Sequence, residues 1–286
     1  MGAAEDSAQE KADVARLYIN DKTVPWWTDN PVITWPARYM LHKYSGIPAE
    51  EIDKVVMDLR EKAWDTFPYP CVSHLDFLDF QISHRNLLYP RLVEQLKSGS
   101  KMLDIACCMG HDIRKLVFDG VPGENLVGIE LQQGFLDLGF ELFRDKDHLK
   151  AKFLQGSVTE DGGLWDELYG KFDIVHLGMF LHMWTYEEQI DVLKRAIKCL
   201  KPEVGVKIIG TKVGSVDGRI EDWLGKKIPA HNIETFKAFV DDAGKRTETK
   251  WEVDSELDHR YSKFNGRDTW ANERMRRLTF ELTRVE

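Results

Sequence analysis

Three features of the chain predict an α/β fold built on an open, Rossmann-like sheet. The first is Lys101-Met-Leu-Asp-Ile-Ala-Cys-Cys-Met-Gly110, an apolar strand that runs into a tight loop of small residues and then a helix. The second is Gly128-Ile-Glu130, a strand that ends on a carboxylate, at the spacing of roughly 20 residues typical of nucleoside-binding sheets. The third is the steady alternation of apolar strands with amphipathic helices from residue 101 to residue 213. Two runs with alternating apolar positions close it, Trp251 with Val253 and Leu278 with Phe280 and Leu282. Five βα units ending in an antiparallel C-terminal hairpin make a seven-stranded mixed sheet.

Element by element, residues 1–15 are polar and acidic and are expected to fray. Residues 16–98 form an N-terminal lid region, mainly helical and rich in aromatic residues. Between Tyr18 and Tyr44 aromatics and prolines crowd together (Trp26, Trp27, Pro31, Trp35, Pro36, Tyr39) without a regular amphipathic period. Pro48, Glu50 and Glu51 then open a helix whose Ile52, Val55, Val56 and Leu59 recur at helical spacing. Phe67-Pro-Tyr-Pro70 breaks it, and a helix over 87–96 leads to Ser98-Gly-Ser100, where the core of residues 99–286 begins. Strands are predicted at 101–105, 126–131, 151–154, 172–178 and 206–213. Helices are predicted at 112–118, 135–144, 164–168, 186–200 and 234–242. Asp119-Gly120 and Lys201-Pro202 stop two of the helices, and a Gly-rich loop precedes the last.

Composition narrows the function. The chain has 286 residues, 43% hydrophobic, and a net charge of −9, which argues against a nucleic-acid partner and for a small-molecule one. No apolar run approaches the ~18 residues of a membrane span, and the acidic N-terminus is wrong for a secretory signal. Cys71, Cys107, Cys108 and Cys199 match no zinc spacing and are too few for a disulfide scaffold, so a reduced, cytoplasmic setting without a metal is expected. A homodimer stays open.

The loop carries a single glycine where a pyrophosphate-binding loop has three, and Asp104 at the strand end would repel a phosphate. A ligand with an ammonium and a sulfonium and no phosphate, S-adenosylmethionine, suits it. Asp104 would then orient the loop amides and meet the ammonium, while Ala106, Cys108 and Gly110 line the loop. Left-handed backbone is costly at 106 and 108, where a side chain replaces glycine. Cys107 and Cys108 are read as space-filling. Glu130 would take the ribose diol, with Leu131 beside it. In Gln155-Gly-Ser157-Val158, Ser157 would accept from the adenine amino group and Val158 would pack on the ring. Strand four ends in Asp173-Ile-Val-His176-Leu-Gly-Met-Phe180-Leu-His182-Met-Trp184. His176 belongs to the strand and the cofactor side, more a core histidine than a catalyst. Met179 and Trp184 would face the acceptor, and His182, just past the strand, is the candidate base. His231 is a second candidate, projecting to the same mouth, and Asn232 is an N-cap. His74 and His84 are read as structural. Phe67, Tyr69 and Trp27 would cover an apolar acceptor.

The runs Phe67-Pro-Tyr-Pro-Cys71, Leu103-Asp-Ile-Ala-Cys-Cys-Met-Gly-His-Asp112, Arg114-Lys-Leu-Val-Phe-Asp-Gly120, Phe140-Glu-Leu-Phe-Arg144, Phe180-Leu-His182 and His231-Asn232 resemble a family of fungal natural-product methyltransferases. The likeness extends from about residue 15 to the C-terminus. It implies the class I methyltransferase fold and S-adenosylmethionine as cofactor. Members that it resembles esterify the carboxyl of a farnesylated, dimethylorsellinate-type acid in meroterpenoid biosynthesis. The acceptor group stays open between carboxylate, phenol, carbon and nitrogen, as does a cofactor-binding partner protein without turnover. A carboxylate is already ionised and needs no base, whereas a phenol does.

Overall fold

The computed structural model describes residues 21–24, 26–84, 88–223, 225–258 and 274–286; the expected fraying of residues 1–15 and the side chain of His84 lie outside them. The strands are β1 (Met102–Ile105), β2 (Leu126–Glu130), β3 (Lys152–Gln155), β4 (Ile174–Gly178), β5 (Lys207–Ser215), β6 (Ile220–Trp223), β7 (Lys226–Pro229), β8 (Trp251–Asp258) and β9 (Met275–Arg284). Seven of them form one sheet in the order β3-β2-β1-β4-β5-β9-β8. The first five are parallel, and β9 runs antiparallel to both β5 and β8. The order reverses beside β1, so the C-terminal edge there opens a crevice for a ligand.

The helices are α1 (Trp35–Lys43), α2 (Ile52–Thr66), α3 (Pro70–Ser73), α4 (Tyr89–Lys97), α5 (His111–Phe118), α6 (Gln133–Phe143), α7 (Tyr186–Cys199) and α8 (Ile233–Thr247). All four residues of β1 are buried, as a strand covered on both faces requires. Period-two alternation sends Leu103 and Ile105 toward the cluster shared with α7 and α8, and Met102 toward the one shared with α4 and α5. α7 starts from a capping box in which the Glu188 carboxylate accepts from the Thr185 backbone N–H at 2.9 Å. α8 starts on Asn232, whose Oδ1 accepts from the Thr235 N–H at 2.8 Å, as expected of an N-cap.

The N-terminal region shares its core with the sheet. α2 presents Ile52, Val56, Leu59 and Ala63 at helical spacing. These join Met40, Trp64 and Phe77 in one cluster with Met109, Phe135, Leu138 and Leu142 from the sheet side. Each large apolar side chain buried there contributes about 1.5–3 kcal/mol relative to exposure.

Three expectations need correction. The aromatic, proline-rich stretch contains a regular helix, α1, because Pro36 stands in its first turn, where no N–H is needed, and Ala37, Met40 and Leu41 face inward. Residues 164–168 form turns rather than a helix, closed by Trp165 N–H to the Gly162 carbonyl at 3.1 Å and Leu168 N–H to the Trp165 carbonyl at 2.9 Å. The Gly-rich stretch after β5 holds the antiparallel hairpin β6–β7.

Candidate active site

The loop between β1 and α5 adopts the costly conformation expected of it. Ala106 has φ 61°, Cys108 φ 52° and Gly110 φ 61°, so every second residue is left-handed, two of them with a side chain. A Cβ on Gly110 would lie 2.4 Å from the Phe153 ring, which keeps that position glycine. Burial pushes the thiols of Cys107 and Cys108 far up, so both stay protonated filler.

Glu130, 6% exposed, ties this loop to the next. Its Oε2 accepts from the Cys108 N–H at 2.9 Å and its Oε1 from the Gln132 N–H at 3.0 Å. Each carboxylate oxygen keeps a second lone pair for a ligand hydroxyl. Burial raises its pKa, against the pull of the backbone amides. Leu131 stands half-exposed at the rim. Beyond β3 the Ser157 hydroxyl sits 2.9 Å from Thr159 Oγ1, and the Ser157 carbonyl accepts from Trp165 Nε1 at 2.8 Å. Ser157 and Trp165 line an open cleft of about 260 Å³ together with residues 155–156 and 160–164. Val158 packs on the sheet core.

Asp104 and His176 face each other across paired strands, His176 Nδ1 lying 2.8 Å from Asp104 Oδ1, both buried. Burial opposes the imidazolium, but the charge and hydrogen bond of Asp104, with Asp112 adding, outweigh it and raise the His176 pKa. His176 therefore acts through Asp104, fixing the carboxylate beneath the loop.

The edge formed by the ends of β4 and β5 is lined differently. Met179 follows β4 with φ 48°, its N–H held by the Thr211 carbonyl at 2.8 Å. Trp184 meets Phe180 edge-on at 5.6 Å. Away from that edge, on the side of Glu130, Phe67 lies tilted against Tyr69 at 4.1 Å, and Tyr69 lies 6.0 Å from Phe135. Burial raises the Tyr69 phenol, and the nearby Glu130 charge adds to it. Trp27 is engaged by the N-terminal region itself, with the Arg60 guanidinium 3.8 Å over its ring and Trp64 edge-on at 4.7 Å.

His182 is partly exposed, and its Nδ1 is buried without a partner. His231 is not open at the mouth. It is 4% exposed, tilted against Phe239 at 5.2 Å, with Nε2 unpartnered. Burial, and next the charge of Lys212, push His182 down to about 3 and His231 down to about 2. Lys212 and Gln189 were invisible as site residues in the sequence. Lys212 looks like one more alternating polar residue of β5, and Gln189 like part of an amphipathic helix. Yet both are fully buried, and Lys212 Nζ donates to Gln189 Oε1 at 2.8 Å.

Two family descriptions match the chain: a meroterpenoid methyltransferase N-terminal domain over residues 26–78 and a methyltransferase domain over residues 103–206. O-methyltransferase atr3 of Stereocaulon alpinum is 38% identical over 93% of this chain and 78% of its own length. The chain belongs to the fungal secondary-metabolite methyltransferase family. Within it, O-methyltransferase phiE from a fungal species is 35% identical over 84% of this chain and 82% of its own. The asnovolin E/chermesin D methyltransferase nvfJ of Aspergillus novofumigatus is 36% identical over 64% and 66%. Among solved structures, a phosphoethanolamine N-methyltransferase of Haemonchus contortus in complex with S-adenosylmethionine aligns with a TM-score of 0.51 at 14% identity, over 89% of this chain and 61% of that one. An S-adenosylmethionine-dependent methyltransferase of Leishmania major aligns with a TM-score of 0.52 at 12% identity, over 81% and 82%. These two bear on the fold, which is that of class I methyltransferases.

S-adenosylmethionine is the cofactor of this methyltransferase, and the residues fit it. Buried carboxylates at the ends of β1 and β2 suit an ammonium and a diol, and the loop lacks the glycines that would cradle a pyrophosphate. Among the described residues no helix is long and apolar enough to cross a membrane.

Proposed function

We propose that this methyltransferase esterifies the carboxylate of a bulky apolar acid of natural-product biosynthesis, meroterpenoid or polyketide in type. The observation that carries the reading is the enclosure of the two histidines: His231 is 4% exposed and tilted against Phe239 at 5.2 Å, and His182 keeps a buried, unpartnered Nδ1. Burial, and next the charge of Lys212, weaken both as bases, His182 to about 3 and His231 to about 2. Neither can take a phenol proton efficiently at neutral pH, where a useful base titrates nearer 7. An acceptor that arrives ionised needs no such help. Two relatives are themselves O-methyltransferases by name, and nvfJ is named for two natural products, which supports a small-molecule acceptor.

S-adenosylmethionine supplies the electrophilic methyl on its sulfonium. The chain supplies placement: Glu130 and Asp104 orient the cofactor, and Met179, Trp184, Phe67 and Tyr69 enclose the acceptor and keep water away. Positioning of that kind is worth about 7–11 kcal/mol of barrier. His182 orients the acceptor as a neutral imidazole, and His231 backs it.

The test is transfer of a deuterated methyl from labelled cofactor to farnesylated aromatic acids and their phenolic counterparts, read by mass spectrometry. A labelled product that mild saponification returns to the starting acid is expected. A base-stable labelled product would sink the carboxyl reading in favour of phenol or carbon methylation.

A further inference from the structure

Lys212 is the sixth residue of β5, one position beyond the pair Gly178↔Thr211 that ends β4. It therefore stands at the C-terminal edge of the sheet, where the turn Leu181–Met183 crosses. Its side chain is fully buried. Its Nζ donates to the neutral Gln189 Oε1 at 2.8 Å and lies 6.0 Å from the Phe239 ring, and among the described residues it has no ion pair. Gln189 is fixed in turn, its Nε2 donating to the Trp184 carbonyl at 2.8 Å.

Two more basic groups share this space. His182 turns an unpartnered, buried Nδ1 inward, and His231 an unpartnered Nε2. Lys212 is close enough to both that its charge depresses them, and burial drives Lys212 itself well below the ordinary lysine range. The groups facing Lys212 are thus His182 from the turn after β4, His231 from the start of α8, neutral Gln189 from α7 and apolar Phe239 from α8. Among the described residues no carboxylate forms an ion pair with Lys212. With no counter-charge beside them among the described residues, these basic groups can hold a proton only at a high cost, and an arriving anion removes that cost.

We propose that Lys212, with His182 and His231, forms the subsite that receives the carboxylate of the acceptor. The proposal rests on the carboxyl reading above and adds the residues that recognise the acid. Lys212 donates to one carboxylate oxygen, while the unpartnered histidine nitrogens, in the tautomers that carry hydrogen there, donate to the same group. His182, the partly exposed member, forms the entrance. Because Lys212 is pushed toward its neutral form when the subsite is empty, binding of the acid draws a proton onto it from solvent. Neutral analogues bring no charge and draw none.

The probe is 3-farnesyl-2,4-dihydroxybenzoate, with its carboxamide as the neutral control, added to the full-length enzyme saturated with S-adenosylhomocysteine. Titration calorimetry at pH 8 in phosphate and in Tris, whose ionisation enthalpies differ, reports proton uptake. Wild-type enzyme is expected to take up close to one proton per acid bound and none with the carboxamide. Lys212→Met, close in length, is expected to lose the uptake and to raise KM for the acid tenfold or more, with kcat and S-adenosylhomocysteine affinity little changed. Equal heats in both buffers with wild-type enzyme, which needs no variant to fold, overturn the subsite. So does an unchanged KM in a Lys212→Met protein that still binds S-adenosylhomocysteine. If wild-type enzyme forms ester but Lys212→Met keeps its KM, the carboxyl reading stands and the subsite alone falls. If it forms only a base-stable product, both fall.

Discussion

Asp104 and His176 occupy paired positions on adjacent parallel strands and meet at 2.8 Å in a fully enclosed setting. The Asp104 carboxylate is thereby aimed from below the loop that carries Ala106, Cys108 and Gly110. The pair ties β1 to β4 by a side-chain contact beside their backbone pairing.

Its pH signature has a definite sign. The folded protein holds the His176 proton more tightly than the unfolded chain does, whose reference value is 6.5. The stabilisation is complete below 6.5 and is lost as pH rises through the higher folded value. Removing one partner of a buried pair costs about 3–5 kcal/mol. His176→Gln is expected to melt lower than wild type at pH 6, with the difference narrowing toward pH 9. A melting difference independent of pH would contradict a charged His176.

The left-handed Ala106, at φ 61°, gives a rare case of a favourable glycine substitution. Left-handed backbone costs a residue with a side chain about 1–2 kcal/mol, partly offset by glycine's greater loss of freedom of about 0.5–1 kcal/mol. Ala106→Gly is therefore expected to raise stability by about 0.5–1 kcal/mol in urea unfolding, with an unchanged m-value. Gly110→Ala, by contrast, drives a methyl to 2.4 Å from Phe153 and should destabilise the loop and abolish cofactor binding.

Glu130 holds two loop amides, and its proposed second task is to take the ribose hydroxyls of the cofactor. Glu130→Ala is expected to weaken S-adenosylhomocysteine by about 1.5–3 kcal/mol, the range for hydrogen bonds to a charged group. Calorimetry with wild-type affinity in the variant would remove Glu130 from the site.

At saturating acid acceptor, kcat should be flat from pH 5 to 8, because His182 at about 3 and His231 at about 2 stay neutral throughout. A limb in kcat with a midpoint near 6.5 would reinstate a histidine as general base.

Arg114 grips Asp145 with two bonds, Nε to Oδ2 at 2.7 Å and Nη2 to Oδ1 at 2.9 Å, and Tyr44 of the N-terminal region donates to the same carboxylate at 2.8 Å. Arg114 Nη1 also holds the Met109 carbonyl in the cofactor loop at 2.6 Å. Asp145→Ala is expected to cost about 3–5 kcal/mol by stranding the guanidinium. Tyr44→Phe should cost about 1 kcal/mol. No loss in Tyr44→Phe would mean that Tyr44 acts by packing alone, through its ring contacts with Phe118 and Phe143.

The parallel strands were legible because strands covered on both faces are nearly continuously apolar, as Met102–Ile105 is but for Asp104. The loop was legible because small residues stand between such a strand and a helix. The N-cap at Asn232 could be read from its position alone. α1 was hidden by its prolines and aromatics, since Pro36 signals a break unless it falls in a first turn, as it does here. The site was only half legible. Glu130 and Asp104 could be singled out because they are carboxylates at or near the ends of apolar strands, and both are buried there. Lys212 lies inside a strand whose alternation cannot tell which face is filled by helices, and its partners come from residues 23 positions before it and 19 after. No local pattern carries a meeting of that kind.

The common core of α2, Met109 and α6 makes the N-terminal region a poor candidate for modular exchange. Grafting residues 26–78 from a relative would bring in the proposed acceptor walls, Phe67 and Tyr69. It would also replace the floor on which the nucleoside loop rests. A change of that whole segment therefore disturbs the packing beneath Met109 and Phe135 as well, whereas single changes at Phe67, Tyr69 or Met179 leave the shared core in place.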